Sequence, residues 1–338
     1  MATLAAVRPI SETVAGGDLD ELIRLIDGLC VSREWALVVE VRDRCRHALE
    51  QRGIQLWPAA EYAEYRLALD APGSFAGDVI TEEAGRFALG PLWEVAASRL
   101  TWEELSDHLA PGPARALAAH ERVLRGEDLS TDDSIDLNVI ELPLQVLDWE
   151  PDYVVAAFKS DEVAYDAPPL PRLVPTELAT VAEEIEDDEV IEALLDIGAV
   201  WSQQSNGSAS AVAVEGTAEQ AIRTLGHRKC LLIDVAPSEA MALIGWAGAS
   251  GGAYGRRRGS PTGRFIAWWL VASLADLDWP APSEEMEAAV QSLRWVVWES
   301  VDFTGGWSAC IAVESAELGL AWALEAVDTH RDEDVLPV

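Results

Sequence analysis

Residues 251 to 264 read GGAYGRRRGSPTGR and set Arg256, Arg257, Arg258 and Arg264 among glycines, Ser260 and Thr262. Guanidinium groups grip phosphate or carboxylate in bidentate fashion, and hydroxyls add neutral donors. Glycine lets the backbone take positive φ and come close to a ligand. Ahead of a helix starting near Gly263, the segment would also offer a helix N-terminus to an anion. Arg256, Arg257, Arg258, Ser260, Thr262 and Arg264 are therefore the candidate anion- or partner-binding residues. The competing expectation is that these arginines bridge acidic helices of their own domain, for example the run Glu183 to Glu189.

Other patterns carry less. The phosphate-cradling GxxxxGK[ST] is absent, and no GxGxxG follows a strand. His227 and Cys230 stand three apart, but no HxxxH or HExxH supplies further ligands, so no metal site is expected. No GxSxG frames a nucleophile, so catalytic residues stay unassigned and no cofactor is expected. The run EEIEDDE (183–189) reads as a solvated face with Asp187 or Asp188 as an N-cap. Arg42, Arg44, Arg46 and His47 form a second basic spot, for which opposite charges on neighbouring helices are the commoner explanation.

Fourteen tryptophans mark the chain, and many crowd its second half. Trp268 and Trp269, adjacent on a helix, cannot both face one core. Trp295 and Trp298 fall on opposite faces of a regular strand. Either the sheet is covered on both sides or one indole is left for a partner. Trp268, Trp269 and Trp298 are thus the interface candidates.

The elements that must position these groups follow from cap and breaker signals. A length of 338 residues suggests two domains. Over 1–130 the pattern predicts a helical bundle or short helical-hairpin stack. Asp18 with Glu21 opens one helix, Ser32 the next, closed by Gly53; Pro58 starts a third and Thr81 a fourth that Pro91 interrupts. Thr101 with Glu104 opens a fifth, and Pro113 a sixth ending near Gly126. Residues 131–175 hold prolines at 143, 151, 168, 169, 171 and 175 and read as an extended strap with one edge strand. Residues 176–330 read as an α+β domain, and 331–338 as an acidic tail. Within the α+β domain, 199–225 echoes 296–324: Trp201 with Trp298, Asn206-Gly207 with Gly305-Gly306, Ala213-Val214-Glu215 with Ala312-Val313-Glu314. The echo predicts two internally repeated β-hairpin–helix units.

Composition narrows the function class. Asp and Glu number 59 against 24 Lys and Arg, a formal net charge of −35. Such a field repels nucleic-acid phosphates and anionic lipid, so general nucleic-acid or membrane binding is not expected. Four dispersed cysteines suit buried thiols in a reducing compartment. No signal-peptide core stands near the N-terminus, and the most apolar run, 265–275, is about half of a membrane span. The expected location is cytoplasmic.

WPAAEYAEYRLAL (57–69), RGEDL (125–129), WEPDY (149–153) and ASGGAYGRRRG (249–259) resemble segments of uncharacterised conserved proteins from GC-rich bacteria. The resemblance runs along most of the chain and implies a dedicated cytosolic protein, with no catalytic residue to carry over. The leading expectation is an acidic interaction or scaffold protein that meets basic partners, with the arginine segment as a contact. The alternative is an enzyme or sensor binding a phosphorylated or carboxylated small molecule at Arg256–Arg258.

Overall fold

The structure, a computed structural model, describes residues 10–80 and 88–329 and divides into two compact units. The 331–338 tail and the helix start at Thr81 lie outside the described residues.

The first unit is helical. Asp18 accepts from Glu21 N and opens α2 (Leu19–Val31), which follows α1 (Ile10–Gly16). α3 (Trp35–Arg52) is closed by Gly53 in the left-handed conformation, and α4 (Trp57–Asp70) carries a proline in its first turn. After α5 (Gly73–Ala76) come α6 (Leu92–Ala97) and α7 (Trp102–Leu105), the latter under a full Thr101–Glu104 capping box. α8 (Pro113–Leu124) follows. One cap differs from expectation. Ser32 ends α2 instead of opening α3, because its amide bonds the Cys30 and Gly28 carbonyls. The basic spot on α3 is internally answered: Arg42 pairs with Asp43, Arg44 with Glu40, and Arg46 with the buried Glu64 of α4.

The expected strap is shared out between the units. Residues up to 139 go with the first, 140–156 with the second, and 157–164 with the first as the short hairpin β1 (Ala157–Phe158) and β2 (Val163–Ala164). From Tyr165 onward the chain belongs to the second unit. Pro175 lies in β3 (Val174–Glu177), an edge strand, where a missing amide is tolerated.

The second unit is α+β. After β4 (Glu183–Glu184) it runs α9 (Asp188–Ile197), α10 (Ala199–Gln204), β5 (Ser208–Glu215), α11 (Ala218–Thr224) and β6 (Lys229–Val235). It continues α12 (Pro237–Ala249), α13 (Ser260–Leu274), α14 (Ser283–Ser292), β7 (Arg294–Ser300), β8 (Trp307–Ser315) and β9 (Leu320–Asp328). The seven strands form one antiparallel sheet in the order β3-β6-β7-β8-β9-β5-β4. Val212, Val214, Val296, Trp298 and Ala323 face Ala218, Ala221 and Ile222 of α11. Strand alternation turns Trp295, Val297 and Val313 to the other face, where α9, α10, α12 and α14 lie. The sheet is covered on both sides.

The α+β class is as expected; the internal repeat is corrected. In the first stretch AVWSQQ forms the helix α10, so Asn206-Gly207 joins a helix to a strand and makes no hairpin. In the second, the stretch after β8 is the strand β9 and not a helix. Only β5 and β8 correspond, and they flank β9 on either side.

α12 and α13 cross closely where Gly263 meets Gly245: a Cβ on Gly263 would come 2.0 Å from the Gly245 carbonyl oxygen, and one on Gly245 would press Tyr153 at 2.9 Å. Backbone cannot yield as a side-chain tip does. Gly263→Ala is expected to cost at least about 1–3 kcal/mol, the range of overpacking, in denaturant-induced unfolding; a neutral result would contradict this crossing.

Candidate functional site

The arginine segment connects α12 to α13, and its backbone is fixed from within. Ala253 N donates to the buried Asp328 Oδ2 at 2.6 Å, Tyr254 N to Ser205 Oγ at 3.0 Å, and Arg258 N to the Ala249 carbonyl at 2.9 Å. Gly252 stands at φ +65°, and a Cβ there would lie 2.2 Å from Asp328 Oδ2 and 2.9 Å from Trp201. This glycine lets the loop close on β9 and α10, where a ligand was expected.

The arginines divide into three situations. Arg264 is wholly buried, at 0% exposure. Its Nε and Nη2 donate to Glu150 Oε2 and Oε1 at 2.7 and 2.6 Å; Nη1 reaches the Pro143 carbonyl and Nη2 the Gln145 carbonyl, both at 2.9 Å. Trp268 Nε1 and Leu147 N complete the Glu150 shell at 2.8 and 3.0 Å. A guanidinium so buried and already paired is closed to an outside anion, so Arg264 leaves the candidate set. Arg258 is half-buried and spans both Asp196 oxygens at 2.9 and 3.2 Å, at the end of α9. That is the internal bridging the acidic-helix expectation described, though to Asp196 and not to 183–189. Arg257 lies over the Tyr165 ring, 3.7 Å from its centroid. Arg256 is exposed. Ser260 is buried, α13 begins there rather than near Gly263, and Thr262 Oγ1 donates to the Arg258 carbonyl at 3.1 Å.

Two interface candidates are core residues. Trp268 and Trp298 are each 1% exposed, the first against Glu150 and Trp149, the second in the α11 layer beside His227. Trp269 is half-buried and stacks with Phe265 and Trp279 on the outer side of α13. Burial pushes the thiols of Cys30, Cys45 and Cys230 up to about 11 and that of Cys310 up to about 12, which leaves them protonated and poorly nucleophilic. His227 Nε2 sits 3.1 Å from Glu325 Oε2, and among the described residues no metal-ligating cluster gathers around it or elsewhere.

Residue-type reasoning missed the groups that pair with the cations. Glu150 is one; a carboxylate inside the apolar stretch LPLQVLDWEPDYVV was the available signal, since such a group needs a partner. Arg294 is another. It meets Glu219 at 2.7 Å, Asp234 at 2.7 Å and Glu314 at 2.8 Å, a cation outnumbered by carboxylates. Its hydrogen bonds hold the Glu219 carboxyl down at about 2.

At the far edge of the sheet the acidic groups lie open. β4 exposes Glu183 and Glu184, Glu215 lies opposite Glu183, and Glu186, Asp188 and Glu189 follow, all exposed. Val181 (57% exposed) and Leu318 (60%) join this end, since Gly216 packs on Ala182 and donates to the Gly319 carbonyl.

A family model described as a family of unknown function (DUF6183) matches residues 20–330, and the chain belongs to that family. No curated protein and no solved structure matches it.

Arg264→Met should destabilise the fold by roughly 3–5 kcal/mol, the cost of stranding one partner of a buried pair, whereas Arg256→Ala should stay within about 0.5 kcal/mol. Urea unfolding of the two variants checks this, and equal effects would contradict it. Glu219 is held below its ordinary 4.5, so its stabilising contribution is complete above that pH and fades as pH falls toward about 2. The stability difference between the wild-type chain and Glu219→Gln should therefore narrow over that interval; a pH-independent difference would count against the Arg294 pairing.

Proposed function

We propose that this member of the family is a cytoplasmic acidic interaction protein that docks a basic protein along the β4 edge of its sheet, with Arg256 as an accessory contact. The carrying observation is the open edge itself: exposed carboxylates at 183, 184, 186, 188, 189 and 215 around the exposed side chains of Val181 and Leu318. Charge steers a basic partner and fixes its register, while the apolar pair supplies contact area that excludes water. An edge strand also offers unpaired backbone groups to an added strand.

The ion pairs favour the same reading. Arg42, Arg44, Arg46, Arg66, Arg122, Arg125, Arg258, Arg264 and Arg294 each pair with a carboxylate of their own unit. Those pairs are neutral, so the net −35 reflects the excess of carboxylates over cations outside them. The alternative, a small phosphorylated or carboxylated ligand at Arg256–Arg258, is left with the exposed Arg256 and the stacked Arg257.

The test is capture on the immobilised full chain from the native cytosol. A basic protein should be held at low salt and released near 1 M, where the Debye length falls to about 3 Å. It should be lost from Glu183→Lys/Glu184→Lys and kept by Glu50→Lys/Glu103→Lys, which makes the same charge change on the first unit. Equal retention by both variants refutes the edge.

A further inference from the structure

The first unit holds a cleft of about 430 Å³ lined by Arg33, Arg66, Arg99, Trp35, Asp70 and the aliphatic side chains around them. Three guanidiniums on one cleft are notable in a chain with 24 cations against 59 acids. Arg66 is its fixed wall: Nε donates to Asp70 at 2.8 Å, and Nη1 to Asp27 and to the Tyr62 hydroxyl. Arg33 and Arg99 differ. Both are exposed, and among the described residues neither has a carboxylate partner.

Arg33 also stands where an arginine is conformationally disfavoured. α2 ends with Arg33 N on the Cys30 carbonyl at 3.0 Å and Glu34 N on the Leu29 carbonyl at 2.9 Å, with Arg33 at φ 57° between them. This termination calls for glycine or asparagine at that residue. Attraction to the C-terminal carbonyls of α2 would account for a cation anywhere in the last turn. It does not account for one at the position where a Cβ is least welcome. The guanidinium is what this residue adds at that backbone cost.

In the cleft, apolar side chains stand between these charged groups. Val31, 84% exposed, Leu69, Leu100 and the half-exposed Trp35 indole line it. The volume suits a small organic ligand more than a bare ion, since ligand pockets run from about 300 to 1,000 Å³. We infer that this cleft binds a small organic phosphate with a flat body, of the nucleoside monophosphate class: Arg33 and Arg99 take the phosphate, and the body lies against Trp35 and the aliphatic wall. Cys30, buried at its base, is held protonated, so the inference concerns binding alone.

Titration calorimetry of the full chain with adenosine monophosphate, adenosine and inorganic phosphate tests it. The nucleotide should bind with micromolar to millimolar affinity, and both partial ligands should bind at least about tenfold more weakly. Arg33→Gly keeps the backbone geometry, so its melting temperature should hold or rise while nucleotide affinity falls about tenfold or more, the worth of a charged hydrogen-bonding pair. Arg99→Gln should do the same without altering the fold. No binding by the wild-type chain, equal affinity for inorganic phosphate, or unchanged affinity in both variants overturns the inference.

Discussion

The ion pair between Arg264 and Glu150 organises the second unit. A guanidinium at 0% exposure survives only when its charge and its donors are matched, because stranding it in low dielectric costs several kcal/mol. Matching it here requires both oxygens of Glu150 and the carbonyls of Pro143 and Gln145. Residues 143–150 must therefore lie along α13. That requirement orders a proline-bearing stretch that has neither helix nor sheet to hold it. It also brings Tyr153 onto Gly245, where α12 and α13 cross without intervening side chains. One charge thus fixes a segment, a helix crossing and the end of the arginine segment.

The same logic explains how so acidic a chain remains compact. Self-repulsion at a net charge of −35 opposes folding. Two of the few cations are placed where each meets more than one carboxylate: Arg294 among Glu219, Asp234 and Glu314, Arg66 between Asp27 and Asp70. Exposed carboxylates gather where the sheet ends at β4. A surface of that sign, next to exposed Val181 and Leu318, would repel a second copy presenting the same face.

Local signals were legible in the sequence, and long-range ones were not. Asp18, Gly53, Thr101 and Pro113 mark helix ends because each acts on backbone groups within four residues. Ser32 misled because its side chain and amide turn back to α2, to carbonyls upstream of it. The apparent repeat misled for a related reason. AVWSQQ and LAWALEA are short apolar runs with no decisive period, and their neighbours set their state: α10 packs beside α9, whereas β9 is trapped between β5 and β8. The arginine concentration was legible as a concentration. Its destination was not, since Glu150 lies 114 residues from Arg264 and Asp196 lies 62 from Arg258.

Arg264 and Arg33 show why residue type alone does not assign a role. Both follow a glycine-favouring backbone position or occupy one: Gly259 caps α13 at φ 93°, and Arg33 itself sits at φ 57°. The arginine nearer the conspicuous motif is consumed by the fold, with all three of its guanidinium nitrogens engaged. The one with no motif around it keeps its guanidinium at the mouth of a cleft. The difference lies in the carboxylates each meets. Where an acidic neighbour reaches a buried arginine, the pair is part of the core; where burial is incomplete and none arrives, the cation is left to what the solvent brings. Among the described residues Arg33 and Arg99 are two such arginines, and both line the cleft near the ends of α2 and α6.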